Sequence, residues 1–112
     1  MTDRLKAGLW VQAQLRICDI NCIPAMIIRK GDVDAGSVLL KLNYFSNGCA
    51  ALVPITTMDG ARGWMHGLKE GFTDERSIDA FIRRQLDRDP DLWVLEIEDP
   101  KKLYELDGEL VQ

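Results

Sequence analysis

Apolar and polar positions alternate along the chain in patterns that predict two helices and five strands. The first helix is predicted over residues 8–21, where apolar side chains cover well over half of the helical wheel and Gln14 falls inside the apolar arc. A helix this apolar is buried on more than one side. The sequence leaves open whether a sheet, the C-terminal tail or another subunit covers the second side.

The strands are predicted from period-two alternation and from the turn residues between them. Asn47-Gly48 and Asp59-Gly60 are typical of hairpin turns. Pro54 cannot donate a hydrogen bond within a sheet, so its strand is predicted to lie at an edge or to contain a bulge. The predicted strands span residues 25–29, 37–45, 49–56, 62–68 and 92–98.

A second helix is predicted to begin at Thr73, a residue type that caps helices, and to end at Asp89-Pro90. Its apolar residues recur with the spacing of a helix that buries one face. The resulting order, α-β-β-β-β-α-β, predicts an α+β fold with a mostly antiparallel sheet of about five strands and both helices on one face. Trp93 is expected to pack against the helix that contains Phe81.

Length and composition restrict the class of protein. The 112 residues correspond to a single α+β domain, in which residues 100–112 form a C-terminal tail. The net charge of −4 argues against nucleic acid as a partner. No apolar run is long enough to span a membrane, and no secretion signal is recognised at the N-terminus. Three cysteines without close pairs fit a reducing cytoplasm: Cys18, Cys22 and Cys49.

Several segments together resemble a known bacterial family. The most specific is the run through Pro90-Asp91-Leu92-Trp93, and others lie at residues 9–13, 23–26, 29–32, 34–36, 41–43 and 63–64. As a set, over about residues 5–99, they resemble the family catalogued as domain of unknown function 1491, which is associated with alphaproteobacteria. The resemblance implies a small cytoplasmic bacterial protein. Because the family has no established activity, it implies no catalytic residue.

Four acidic residues form the candidate carboxylate site: Asp32, Asp34, Glu96 and Glu98. Converging carboxylates hold Mg²⁺ in hydrolases and nucleases, and Lys41 would lie between them if the strands pair suitably. The alternative is that the two aspartates stabilise a loop through local hydrogen bonds while the two glutamates form a solvated strand face. This alternative is favoured.

Arg83, Arg84 and Arg88 form a candidate anion patch near the end of the second helix, since guanidinium groups bind phosphates and carboxylates. Cations at a helix C-terminus also interact favourably with the helix dipole. The favoured interpretation is therefore that the three arginines form a solvated helix face. His66 with Cys18 and Cys22 has the residue types of a metal site. The cysteine spacing is a weak signal, and the aromatic strand around Trp64 favours a packed histidine at position 66. Neither a metal nor a cofactor is therefore predicted.

The sequence therefore favours a small cytoplasmic binding or interaction module without catalytic activity. The alternatives are a metal-dependent hydrolase and an anion- or nucleic-acid-binding domain. A homodimer is predicted through the surface around Leu9, Val11 and Leu15, or through residues 49–55. A small-molecule ligand is left unspecified. The competing account is that the tail around Leu103 and Tyr104 folds back over the first helix and leaves a monomer.

Overall fold

The computed structural model describes residues 6–111, which form two helices, six strands and a short 3₁₀ turn at Phe45–Asn47. Neither helix in this described part is long and apolar enough to cross a membrane. The presence of both helices and strands confirms the predicted α+β class. The elements are α1 (Ala7–Ile20), β1 (Ala25–Arg29), β2 (Val38–Asn43), β3 (Cys49–Thr56), β4 (Arg62–His66), α2 (Glu75–Arg88), β5 (Trp93–Glu98) and β6 (Glu109–Leu110).

The sheet is mixed, with the strand order β1-β5-β2-β3-β4-β6. The predicted mostly antiparallel sheet of five strands is wrong, because β2–β5 and β4–β6 are parallel pairs and β6 comes from the predicted tail. The two predicted hairpins, β2–β3 and β3–β4, are antiparallel neighbours and are confirmed. Helix α2 returns the chain so that β5 enters between β1 and β2, as parallel pairing requires a crossover.

The helices lie on opposite faces of the sheet, so the prediction that both cover one face is wrong. One core joins α1 to Leu40 of β2 and Leu95 of β5, and the other joins α2 to Leu39 and Val94 of the same strands. Interior strands that are apolar on both faces need a covering layer on each. All six residues of β2 are buried. The two faces are named the α1 side and the α2 side below.

Trp93 is buried, but not against the helix that the sequence indicated. It packs on the α1 side with Leu95 and Ile97, whereas Phe81 belongs to the α2-side core. Its indole Nε1 donates a hydrogen bond of 2.7 Å to the backbone oxygen of Asp32. Trp93 therefore joins the loop before β2 to the core beneath α1.

Pro54 lies in an interior strand, which corrects the prediction of an edge. The amide of Gly67, directly after β4, donates to the oxygen of Ala51. Because alternate residues of a strand bond to the same neighbour, the backbone groups of Ala51 and Val53 face β4, and the nitrogen of Pro54 faces β2. The pairing of β3 with β2 ends at Leu52, two residues before Pro54. The proline therefore interrupts no hydrogen bond of the ladder.

Residues 100–111, named the strap, cross over α1 toward β4. The carboxylate of Asp99 accepts hydrogen bonds of 2.8 Å from the amides of Leu103 and Tyr104. The Tyr104 hydroxyl donates to Gln14 Oε1 at 2.7 Å, and Tyr104 and Leu106 pack against the α1-side core. The strap thus covers a second side of α1, and it supplies the partner that a glutamine in an apolar arc needs.

We expect Asp99→Ala to lower the free energy of unfolding by about 2–3 kcal/mol, because two amides lose a charged acceptor at a buried position. The measurement is urea denaturation. The exposed strap residue Glu105, changed to alanine, is the matched control and should alter stability by less than about 0.5 kcal/mol. Equal effects of the two substitutions would contradict an anchoring role for Asp99.

Candidate functional site

A buried lysine on the α2 side contacts one buried carboxylate and two half-exposed ones. Lys41, in the middle of β2, is 5% exposed. Its Nζ lies 2.6 Å from Glu75 Oε2, 2.8 Å from Asp79 Oδ1 and 3.8 Å from Glu96 Oε1. These four residues and Asn43 are named the Lys41 cluster.

Two features of the fold bring these side chains together. The parallel register of β2 and β5 pairs Lys41 directly with Glu96. Glu75 and Asp79 are four residues apart on α2, so they lie on the same face of the helix. The helix begins after Asp74, whose carboxylate accepts the amide of Ser77 at 2.9 Å; the N-cap is therefore one residue beyond the predicted Thr73.

The charges around Lys41 fix its protonation state. Burial disfavours the ammonium form, but the hydrogen bonds to Asp79 and Glu75 and the charge of Glu96 outweigh burial and raise the pKa of Lys41 above its ordinary value. The lysine is a cation at neutral pH and cannot act as a nucleophile or general base there. Three carboxylates around one ammonium also leave the cluster with a net negative charge.

Asn43 connects the cluster to the turn after β2. Its Nδ2 donates to Glu96 Oε2 at 3.2 Å, while its Oδ1 accepts from the amide of Phe45 at 2.8 Å and from Cys49 Sγ at 3.3 Å. Burial, followed by the charge of Glu75, raises the pKa of the Cys49 thiol. A protonated thiol in this position is a weak nucleophile, so the cluster is suited to fixing α2 on the sheet rather than to covalent chemistry.

A cavity of about 390 Å³ opens beside the cluster, between α2 and the edge strand β1. Its polar groups come from the Lys41 cluster and from Arg83, and the rest of its wall is aliphatic. The lining residues are Ile28, Lys41, Asp79, Ile82, Arg83, Leu86, Val94 and Glu96. The α2 side thus presents an apolar groove with an acidic floor next to β1.

The four residues of the candidate carboxylate site lie in different places. Asp32 and Asp34 are exposed in the loop before β2, where Asp32 accepts the amides of Asp34 and Ala35 at 3.1 and 2.6 Å. Glu96 belongs to the Lys41 cluster, and Glu98 is half-buried at the end of β5. Within residues 6–111, no three His, Cys, Asp or Glu side chains are arranged to hold a metal ion.

Sequence reasoning missed Glu75 and Asp79 as partners of Lys41. In the sequence, Glu75 has the position of an acid that favours the helix dipole, and Asp79 lies four residues before Arg83. The sequence did contain a signal: Glu75 and Asp79 lie four residues apart on the polar side of the second helix, and a predicted strand carries Lys41. The strand order needed to use that signal is a long-range property.

Arg83, Arg84 and Arg88 are all exposed on α2, and none forms an ion pair with another described residue. Arg83 lines the α2-side cavity, and the Arg84 guanidinium lies 5.9 Å from the centroid of the Phe81 ring. Asp79 faces Lys41 instead of Arg83. The three arginines therefore form a solvated helix face, with one of them at the rim of the groove.

The three residues considered for a metal site lie in different surroundings. Cys18 is buried in the α1-side core, where burial and then the charge of Asp99 raise its pKa. Cys22 is exposed after α1. His66 lies on β4 with its ring edge-on to Phe72 at 5.7 Å. His66 therefore lies in a strand and packs against an aromatic ring.

The comparisons with known proteins agree with the resemblance noted in the sequence. Residues 5–107 match the model of a family described as protein of unknown function DUF1491. The crystal structure of a DUF1491 family protein from Caulobacter crescentus CB15 is 33% identical, covers 96% of this chain and 100% of that chain, and superposes with a TM-score of 0.85. No curated protein matches the chain.

Two solution structures extend the likeness. The NMR structure of a DUF1491 family protein from Caulobacter crescentus CB15 is 32% identical, with a TM-score of 0.82 over 99% of this chain and 100% of that chain. The solution structure of protein Atu0922 from A. tumefaciens is 24% identical, with a TM-score of 0.73 over 93% of this chain and 90% of that chain. At that identity, the second likeness concerns the fold alone.

Proposed function

We propose that the chain, which belongs to the DUF1491 family of proteins of unknown function, is a small interaction module that forms a homodimer through the open edge of β1. The observation that carries this proposal is a run of three large apolar residues on a terminal strand. Met26, Ile27 and Ile28 are 44%, 37% and 49% exposed. An exposed apolar edge strand is a template for pairing with another chain.

The backbone of β1 supports pairing at this edge. The amide of Glu98 donates to the oxygen of Pro24, and the antiparallel register continues from there along β1. Because alternate residues bond to the same neighbour, Ala25 and Ile27 direct their N–H and C=O groups away from β5. These groups are available to a further strand.

The sequence of β1 is complementary to itself in an antiparallel arrangement. Pairing centred on Ile27 would set Arg29 opposite Ala25 of the second copy, so the two arginines would lie at opposite ends of the interface. Met26 would lie opposite Ile28, which lines the α2-side groove. Apolar cross-strand pairs stabilise a sheet, whereas like charges directly opposite each other destabilise it.

Other surfaces named from the sequence are less suitable for the dimer. Val11 is fully buried and Leu15 is partly buried in the α1-side core, so of these three residues of α1 Leu9 is the exposed one. Residues 49–55 lie in the interior strand β3. The edge of β1 is therefore the surface to which we assign self-association.

Sedimentation equilibrium at micromolar concentration tests the dimer. We expect the wild-type protein to show twice the chain mass of 12.7 kDa. Ile27→Lys should give the monomer mass, because the two lysines would face each other across the two-fold axis. Ile20→Lys, at a position 65% exposed on α1, is the matched control and should remain a dimer.

Two outcomes contradict the proposal. One is a wild-type mass of 12.7 kDa at every concentration. The other is a dimer that persists in both Ile27→Lys and Ile27→Pro, since proline at this position removes the outward N–H without breaking a bond to β5. A monomer that acquires mass only when a different protein is added would assign the edge to a heterologous strand instead.

We also propose a cytoplasmic location in a bacterium. The three cysteines Cys18, Cys22 and Cys49 are all unpaired thiols in the described structure, which suits a reducing compartment. The similar structures come from bacterial proteins. Fractionation followed by detection of the native protein would test this assignment, and recovery in the periplasmic fraction would overturn it.

A further inference from the structure

The α2-side cavity has the size of a small-molecule site. Its volume is about 390 Å³, within the usual range of about 300–1,000 Å³. Its apolar part is formed by four aliphatic side chains: Ile28, Ile82, Leu86 and Val94. Its polar end is formed by the Lys41 cluster. The cavity is lined by side chains and uses none of the edge N–H and C=O groups of β1 to which the dimer is assigned.

One carboxylate oxygen at the polar end has room for a hydrogen-bond donor. Glu96 is 7% exposed and lines the cavity. Its Oε2 accepts from Asn43, which is outside the lining, whereas its Oε1 accepts no hydrogen bond from residues 6–111. Within the same residues, the one enclosed side-chain nitrogen or oxygen that lacks a partner is His66 Nδ1. Glu96 Oε1 is therefore open to the cavity.

Lys41 does not complete this oxygen. Its ammonium holds Glu75 at 2.6 Å and Asp79 at 2.8 Å, both within hydrogen-bond distance. The separation of 3.8 Å from Glu96 Oε1 exceeds that distance and leaves Coulombic attraction alone. A buried carboxylate is stabilised when it is both paired and hydrogen-bonded, so a further donor from outside the chain would stabilise Glu96.

The charges around the cavity favour a cationic donor. Three carboxylates, those of Glu75, Asp79 and Glu96, surround the single ammonium of Lys41. Arg83 also lines the cavity, but its side chain is exposed, and water and salt screen an exposed charge more than a buried one. An ammonium beside Glu96 would reduce the excess of negative charge at the polar end, whereas an anion would increase it.

The opposite end of the cavity favours an aliphatic chain without a second charge. Ile82 and Leu86 lie one turn apart on α2, and Val94 of β5 adds to their apolar surface. The basic residues lie near this end: Arg83 is on α2, and Arg29 pairs in register with Val94. They would repel a second ammonium group.

We infer that this cavity binds a small aliphatic monoamine, whose ammonium donates to Glu96 Oε1 while its carbon chain packs on Ile82, Leu86 and Val94. Water can hydrate the carboxylate, but only a ligand with an apolar part also removes the aliphatic wall from water. The site is complete within one chain, so the protein would bind the amine whether or not it forms a dimer.

Titrations with n-hexylamine, 1-hexanol and 1,6-diaminohexane, followed by backbone amide NMR shifts, test the site. At neutral pH hexylamine is protonated, as lysine is. We expect hexylamine to cause saturable shifts at residues that line the cavity. The alcohol, which lacks the charge, should bind at least about tenfold more weakly. The diamine should also bind more weakly, because its second ammonium would enter the aliphatic end.

Glu96→Gln keeps the shape of the side chain and removes its charge. It should weaken the binding of hexylamine about tenfold and leave that of hexanol unchanged, so that the preference for the amine disappears. Asp87→Asn removes a carboxylate from an exposed position of α2 outside the cavity and is the matched control. This variant should retain the preference.

Equal affinity for hexylamine and hexanol, diamine binding as tight as that of hexylamine, or hexylamine shifts that do not saturate or lie outside the cavity would each overturn the inference. So would an equal loss of preference in Asp87→Asn and Glu96→Gln. If Glu96→Gln loses its dispersed amide spectrum, Leu86→Trp replaces it, because an indole in the half-buried wall should weaken hexylamine at least about tenfold. Unaltered binding in Leu86→Trp would count against this cavity.

Discussion

Lys41→Ala is expected to lower the free energy of unfolding by about 3–5 kcal/mol. Removing the ammonium leaves Glu96 buried at 7% exposure, next to Glu75 and Asp79, with no cation to offset the three charges. Urea denaturation gives the loss directly. Lys101→Ala, at an exposed position, is the control for removal of a lysine and should change stability by less than about 0.5 kcal/mol.

A double-mutant cycle identifies the cause of that loss. Glu96→Gln in the Lys41→Ala background should restore stability, because it removes the unpaired buried charge, whereas the same change alone should be destabilising. Additive losses, or a Lys41→Ala loss under about 1 kcal/mol, would contradict the buried-charge explanation.

The stabilisation that Lys41 gains from its carboxylate partners depends on pH with a definite sign. The pKa of Lys41 is raised in the folded protein, so its contribution to stability is fully present below the unfolded pKa and is lost as the pH rises through the folded value. The difference between wild type and Lys41→Ala should therefore be constant from about pH 7 to about pH 9. A difference that shrinks within this interval would contradict the assigned protonation state.

Trp93→Ala is expected to cost about 3–5 kcal/mol, since the ring is 3% exposed and its removal leaves a cavity beneath α1. Trp93→Phe should cost less, about 1–2 kcal/mol, because it keeps most of the apolar contact and loses the hydrogen bond to Asp32. Both are measured by urea denaturation. A loss under about 1 kcal/mol for Trp93→Ala would contradict the position of the ring in the core.

The face of the sheet on which Trp93 lies can be tested in the same series. Trp93 and Phe81 belong to separate cores, so the effects of Trp93→Ala and Phe81→Ala should add to within about 0.5 kcal/mol. Direct contact, as the sequence alone indicated, would produce a coupling of about 0.5–3 kcal/mol. The cycle thus separates the two arrangements even though both predict a buried tryptophan.

Local elements were determined by the sequence. Period-two alternation and the turn residues Asn47-Gly48 and Asp59-Gly60 predicted both hairpins, and β3 has the predicted bounds, Cys49–Thr56. The apolar stripe of α2 and the stop at Asp89-Pro90 were likewise sufficient to predict the helix. These features depend on backbone preferences and side-chain spacing within about ten residues, which a single sequence displays.

The strand order and the site were decided by the tertiary structure. Lys41 has three acidic partners only because α2 crosses over the sheet and brings β5 in parallel beside β2, at a separation of more than fifty residues. The same crossover places the helices on opposite faces and leaves β1 at the edge. Periodicity shows which residues of a strand share a face, but pairing of distant strands depends on burying both faces of β2 and β5 at once, and that requirement is met only when the whole chain is assembled.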